Sequence, residues 1–180
     1  MNNPLKYLDK DGLRITVSVH EVLFGNYHTS ITIALDTPEL IKEFGNDPLF
    51  QNTDDDGNQY ATLGAGPEGG KLVGNPNREK DLYRYNKKEE VKTDLNGQNE
   101  KDVVKNLFEQ DKNYKDNLKY DLFPKNNKKS KGYNSNSYTK GMLNAAKIKS
   151  KDPKKKVPGW NKPVPPNNFD NDPTNDTPEN

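Results

Sequence analysis

The sequence Gly132-Tyr133-Asn134-Ser135-Asn136-Ser137-Tyr138-Thr139-Lys140-Gly141-Met142-Leu143-Asn144-Ala145-Ala146 changes character in its middle. Its first half is a polar turn. In its second half Tyr138, Met142, Ala145 and Ala146 recur at the three- and four-residue spacing of a buried helix face. Asn134 and Ser135 carry side chains that accept hydrogen bonds from first-turn N–H groups, so a helix is predicted to start there. A serine at that point lies where unpaired backbone donors converge and the helix dipole favours negative charge. Its hydroxyl is placed to act as a nucleophile or to face an oxyanion. The same residues also cap ordinary helices that do no chemistry, and capping alone does not separate the two readings.

The rest of the chain reads as a scaffold for this elbow. Of 180 residues only 29% are hydrophobic and 31% are charged, and the mean hydropathy is -1.21. A core must therefore be concentrated in part of the chain, and apolar residues do cluster in 13–50, 103–122 and 138–148. One domain over 1–165 is expected, followed by a Pro-, Asn- and Asp-rich tail, 166–180, expected to be disordered. Trp160 and Phe169 stand in the C-terminal region as isolated anchors, and Pro158-Gly159-Trp160 is expected to fold back over one side of the core. The absence of Cys excludes disulfides, thiolate-ligated zinc and a thiol nucleophile. A net charge of +1 gives no general attraction to nucleic acid or to an anionic membrane, although the positive charge is unevenly spread. Nucleic acid is not an expected partner.

Positions 13–35 read as a strand pair. Leu13, Ile15, Val17 and Val19 alternate with Arg14, Thr16, Ser18 and His20, the period of a half-buried strand. After a turn at Gly25-Asn26, Ile31, Ile33 and Leu35 share one face, so His28, Ser30 and Thr32 belong to the other. His28 then points either towards a helix N-terminus at the sheet edge or into solvent, and His20 is expected to be exposed. Thr37-Pro38-Glu39-Leu40-Ile41-Lys42-Glu43-Phe44-Gly45 has the cap, first-turn proline and terminal glycine of a short helix. Asn52-Thr53-Asp54-Asp55-Asp56-Gly57-Asn58 matches the first half of a calcium loop, but Leu63 stands where the bidentate Glu is required. A hairpin turn is expected there, and no metal site. Gln59-Tyr60-Ala61-Thr62-Leu63 reads as the next strand. Gly64-Ala65-Gly66-Pro67-Glu68-Gly69 formally satisfies a dinucleotide fingerprint, yet Gly70, Gly74 and Pro76 follow where a helix is needed. It is read as a flexible or tightly turning loop, and no cofactor is expected. Segment 75–98 is charged, with Leu82, Tyr83 and Tyr85 as its apolar material, and stays unassigned. The stripe Val103, Val104, Leu107, Phe108, Tyr114 and Leu118 predicts a core helix over 100–115. The resulting class is α+β, a small antiparallel sheet packed by helices.

Asn134-Ser135-Asn136-Ser137-Tyr138 resembles the Asn-Cys-x-His-Phe element that opens the catalytic helix of circularly permuted papain-like proteins, such as the PPPDE peptidases and the lecithin:retinol acyltransferase relatives. In those families the catalytic His precedes the Cys and lies on a strand, and Asn26-Tyr27-His28-Thr29-Ser30-Ile31-Thr32-Ile33 is similar to that strand. Ser135 stands where the family has Cys. The resemblance implies a permuted papain-like fold with His28 as base and Ser135 as nucleophile. It places Asn134, Asn136 and Ser137 at the capped oxyanion site, with Thr62 or Tyr60 as candidates for a third polar group; His20 is either a second ring for the site or exposed. The elbow and Pro158-Gly159-Trp160-Asn161-Lys162-Pro163-Val164-Pro165 also resemble domains at the ends of bacterial polymorphic-toxin (Rhs) and type VI secretion effectors. That resemblance implies delivery into a target cell and a dedicated immunity protein as partner. Met1-Asn2-Asn3-Pro4 is not a signal peptide, so export is expected by another route.

These readings imply acyl transfer. Serine with a single His base suits an ester better than an unactivated amide, which points to a lipid or other acyl ester. A peptidase or amidase acting on peptidoglycan or protein is the alternative, and a papain-like binding domain without catalysis is a third. A nuclease built on Lys and His has no compact His/Asp/Glu motif behind it.

Overall fold

The computed structural model describes residues 15–23, 25–82, 87–127 and 130–170. Expectations placed on Leu13, Arg14, Tyr83, Tyr85 and the tail from 171 onward lie outside them. The described residues form a mixed α+β fold in which seven antiparallel strands pack with three helices. In chain order the elements are β1 (Ile15–Leu23), β2 (Asn26–Ala34), α1 (Pro38–Phe44), β3 (Asn52–Thr53), β4 (Gln59–Glu68), β5 (Lys71–Pro76), β6 (Lys87–Asp94), α2 (Glu100–Asn113), α3 (Ser135–Ala145) and β7 (Lys149–Ser150). The sheet order is β3-β4-β2-β1-β6-β7, with β5 also paired to β4.

The period-two reading of the first hairpin holds. Ile15 faces Ile33 and Val17 faces Ile31 across the β1/β2 ladder, and all four are buried in the core. Thr37 caps α1 by accepting from the Leu40 N–H at 3.2 Å. The Asn52–Asn58 stretch is the turn between β3 and β4, closed by Asp54 Oδ1, which accepts from the N–H groups of Asp56 and Asn58 at 3.0 and 2.8 Å. No cluster of three or more metal-ligating side chains occurs among the described residues.

The stretch from Gly64 to Glu68 is not a loop. β4 continues through it and reverses at Gly69 and Gly70, whose φ of +55° and +78° suits residues without a Cβ. The strand keeps its alternation to the end: Ala61, Leu63 and Ala65 are buried on the apolar face, and Gly64 and Gly66 fall on the other.

Helix α3 lies across β2 and β4 on the apolar side, burying Tyr138, Met142, Leu143 and Ala146. Val103, Val104 and Leu107 of α2 complete the same core. The Tyr138 ring meets Tyr114 edge-on at 4.9 Å and Phe169 at 5.4 Å. Phe169 belongs to a short 3-10 turn, Pro166–Phe169, so the packed chain runs past the boundary expected at residue 165. Trp160 is buried as expected, and its indole N–H donates to Asp152 at 2.8 Å.

Tyr138 also carries a hydroxyl into the core, where it donates to Asp111. Burial pushes Asp111 up to about 6; the Tyr138 hydrogen bond opposes the shift, and the nearby charge of Asp116 adds to it. A carboxyl with a raised folded pKa favours the native state most when protonated. Its contribution therefore falls as pH rises from the ordinary carboxylate range through about 6 and is level above that. The difference is about 3 kcal/mol in size. Asp111→Asn keeps an acceptor for Tyr138 and removes the ionisation. Urea unfolding at about pH 4 and about pH 8 should show wild type losing stability relative to Asp111→Asn as pH rises, and parallel profiles would contradict the assignment.

Candidate functional site

β2 and β4 pair only from Ala34 opposite Tyr60 to Ile31 opposite Leu63. Beyond that pair β4 goes on with β5 and β2 goes on with β1, so the two strands part. A cleft of about 450 Å³ opens in the gap, lined by Asn26, Tyr27 and His28 of β2 and by Ala65, Gly66 and Pro67 of β4. Its volume is within the range of small-molecule sites. The start of α3 supplies Asn134, Ser135 and Asn136, and Tyr120, Leu122, Phe123 and Pro158 complete the wall with Arg78 and Lys80. His28 leaves β2 on the polar side of the sheet, whereas α3 packs on the apolar side. The parting of the strands lets His28 and Ser135 line one cavity.

Their relative position is fixed by the residues beside them. Asn136 Oδ1 accepts from Thr29 Oγ1 at 2.9 Å, and Asn136 Nδ2 donates to the carbonyls of Tyr27 at 2.9 Å and Pro158 at 2.8 Å. Thr139 Oγ1 donates to the Thr29 carbonyl at 2.9 Å. Both neighbours of His28 are thus tied to the first turn of α3. Asn134 is the N-cap, its Oδ1 accepting from the Ser137 N–H at 3.0 Å, while its Nδ2 donates to Leu122 O and Pro158 O. Ser137 is wholly buried and donates to the Gly159 carbonyl at 3.1 Å. These three side chains are structural clamps. What the helix start offers an oxyanion is its backbone, because the N–H groups of Ser135 and Asn136 have no acceptor within the helix.

The group that holds His28 is Asp81, a residue to which no role is assigned from sequence. Asp81 Oδ1 pairs with His28 Nε2, and its side chain is wholly buried at the end of a 3-10 turn, Glu79–Asp81. With Nε2–H donating to the carboxylate, Nδ1 is the ring nitrogen left with a lone pair. The two glycines of β4 make room for this arrangement: a Cβ on Gly64 would stand 2.2 Å from Asp81 Oδ2, and one on Gly66 2.0 Å from Arg78 Nη2. Arg78 Nη1 lies 3.7 Å from Asp81 Oδ2.

The other candidates fall elsewhere. Thr62 is opposite Thr32, four residues along β2 from His28 and so about 13 Å away. Tyr60 is further still, opposite Ala34 and packed with Leu82. His20 does face His28, with ring centroids 6.3 Å apart, but it is wholly buried rather than exposed. The 3-10 turn, in contact with β1 and β4, helps cover that face of the sheet. The spacing around Asp81 carries no signal for it. The nearest hint is the glycine pair alternating with buried Ala65, a mark of something crossing β4 closely.

Comparison with protein-family models, with curated proteins and with solved structures gave no match.

Gly64→Ala should drive a methyl into the Asp81 carboxylate and cost about 1–3 kcal/mol. Denaturant unfolding measures the loss, and a variant as stable as wild type would show that Asp81 does not lie across β4.

Proposed function

We propose that this chain is a serine acyl-ester hydrolase with Ser135 as nucleophile, His28 as base and Asp81 as the group that orients the imidazole. The observation that carries the reading is the shared cleft: Ser135 and His28 line it together, and His28 is held from behind by a buried carboxylate. The Ser135 oxygen attacks the ester carbonyl carbon as its proton passes to His28 Nδ1, and the N–H groups at the start of α3 receive the oxyanion. Collapse of the tetrahedral intermediate breaks the bond to the alcohol oxygen, which leaves with the proton from His28. Water then attacks the acyl-serine with His28 again as base, releasing the carboxylic acid and restoring the serine. The charge of Asp81 stabilises the imidazolium formed in each half-reaction. An ester is favoured over an amide because its leaving group is better. An effector role, implied by the resemblance of the elbow and of residues 158–165, would place this hydrolysis in a target cell.

Ser135→Ala and His28→Ala should bring hydrolysis of p-nitrophenyl esters to background. Asp81→Asn should lower kcat by about 10²–10⁴-fold with a smaller change in KM. A fluorophosphonate probe should add one adduct, on Ser135. Loss of activity in Ser137→Ala with retention in Ser135→Ala would move the nucleophile two residues along the first turn of α3, and wild type as inactive as Ser135→Ala on esters of every chain length would end the hydrolase reading.

A further inference from the structure

Two properties of the cleft have no part in the chemistry just described. The first is its apolar rim. Among the described residues four large hydrophobic side chains are exposed, Val22 at 39%, Ile41 at 50%, Leu122 at 52% and Phe123 at 50%. All but Ile41 line this cleft. Single exposed apolar residues are ordinary; three brought together at one cavity from β1 and from the segment before α3 mark a binding surface.

The second property is charge. Among the described residues the lining contains Arg78 and Lys80 and no carboxylate. Arg78 Nη1 is a buried donor that makes no hydrogen bond among the described residues. It forms an ion pair at 3.7 Å with Asp81 Oδ2, an oxygen that makes no hydrogen bond among the described residues, while Asp81 Oδ1 pairs with His28. A guanidinium and an ammonium on the wall of one cavity suit phosphate oxygens. Of the acids next to lining residues in the chain, Glu21 lies 3.8 Å from Lys88 and Asp121 accepts from Ser130 Oγ and the Phe123 N–H, each at 3.0 Å, while Glu68 and Glu79 are exposed.

We infer that the cleft takes an anionic phospholipid from a membrane surface. Arg78 and Lys80 hold the headgroup phosphate, and Val22, Leu122 and Phe123 seat among the acyl chains. The inference rests on the hydrolase reading for what happens to the lipid, since it presents an acyl ester beside a phosphate to Ser135. Binding itself needs no turnover. Cationic and apolar contacts converge on a cavity that Ser135 lines, which is the complement of an amphiphile.

The test is sedimentation of the Ser135→Ala protein with vesicles of phosphatidylcholine alone or mixed with phosphatidylglycerol. Binding to the mixed vesicles should be tighter by about tenfold or more and should weaken with added salt. Lys80→Gln and Arg78→Gln should each reduce that preference. The exposed pair Leu122→Asp/Phe123→Asp should weaken binding to both vesicle types by about tenfold, with unchanged circular dichroism and thermal melting. Equal binding to the two vesicle types, binding kept by the Asp pair, or release by dissolved glycerol phosphate at the concentration of lipid phosphate would each overturn the inference. Wild type that cleaves soluble esters but ignores vesicles would leave the hydrolase standing without its lipid. Selective vesicle binding by a protein with no esterase activity would do the reverse.

Discussion

The separation of β2 from β4 after the Ile31–Leu63 pair is the constraint on which the rest depends. A continuous sheet keeps its two faces apart, so a side chain on one cannot meet a helix packed on the other. Parting strands leaves backbone donors and acceptors without a ladder, which is costly unless other partners are found. Here they are found. The Tyr27 N–H donates to the Lys156 carbonyl at 3.2 Å. The Tyr27 and Thr29 carbonyls accept from Asn136 and Thr139. Helix α3 and the C-terminal segment thus replace the missing strand at the place where His28 sits.

The second cost is the polar layer beneath the 3-10 turn. Thr16, Ser18, His20, His28, Ser30, Thr32, Thr62 and Asp81 are all buried, although a hydrophobic face would be easier to cover. Some of that cost is offset locally, as by the Ser18–Thr32 hydroxyl pair at 2.8 Å and by the His28–Asp81 pair. Burial of a carboxylate against an imidazole gives little stability for the desolvation it requires. It does hold a ring in one orientation and one tautomer, which is where such expense is usually found.

Much of this framework was legible in the chain and some was not, for reasons that differ. The β1/β2 parity, the Thr37 cap and the start of α3 at Ser135 follow from local chemistry, and local chemistry is what a sequence displays. The continuation of β4 through Gly64 and Gly66 was hidden because glycine weakens the strand pattern while here it serves a close crossing. The burial of His20 depends on a covering turn some sixty residues later in the chain, and parity reports a face without saying what lies over it. Asp81 is one carboxylate in a charged run, with nothing in its neighbours to single it out. The amides of Asn134 and Asn136 were read as oxyanion or capping groups; their bonds to Tyr27, Leu122 and Pro158 are long-range and leave no periodic trace.

Gly159 adopts φ +85°, and a Cβ there would meet Asn134 Oδ1 at 2.4 Å, Pro124 Cγ at 2.7 Å and Ser137 Oγ at 2.8 Å. The backbone of this segment is pressed against the helix cap, and the Val164 N–H donates back to the Ser137 carbonyl at 2.9 Å. The wall around Ser135 therefore needs partners that leave the ribosome later than the serine does. A growing chain carries its elbow before the strap that seats it, and the contacts joining Tyr27, Ser137 and Val164 close only when nearly the whole fold has been translated. The order of synthesis thus sets an earliest moment for the cleft: the wall around Ser135 cannot be complete before Val164 has been made.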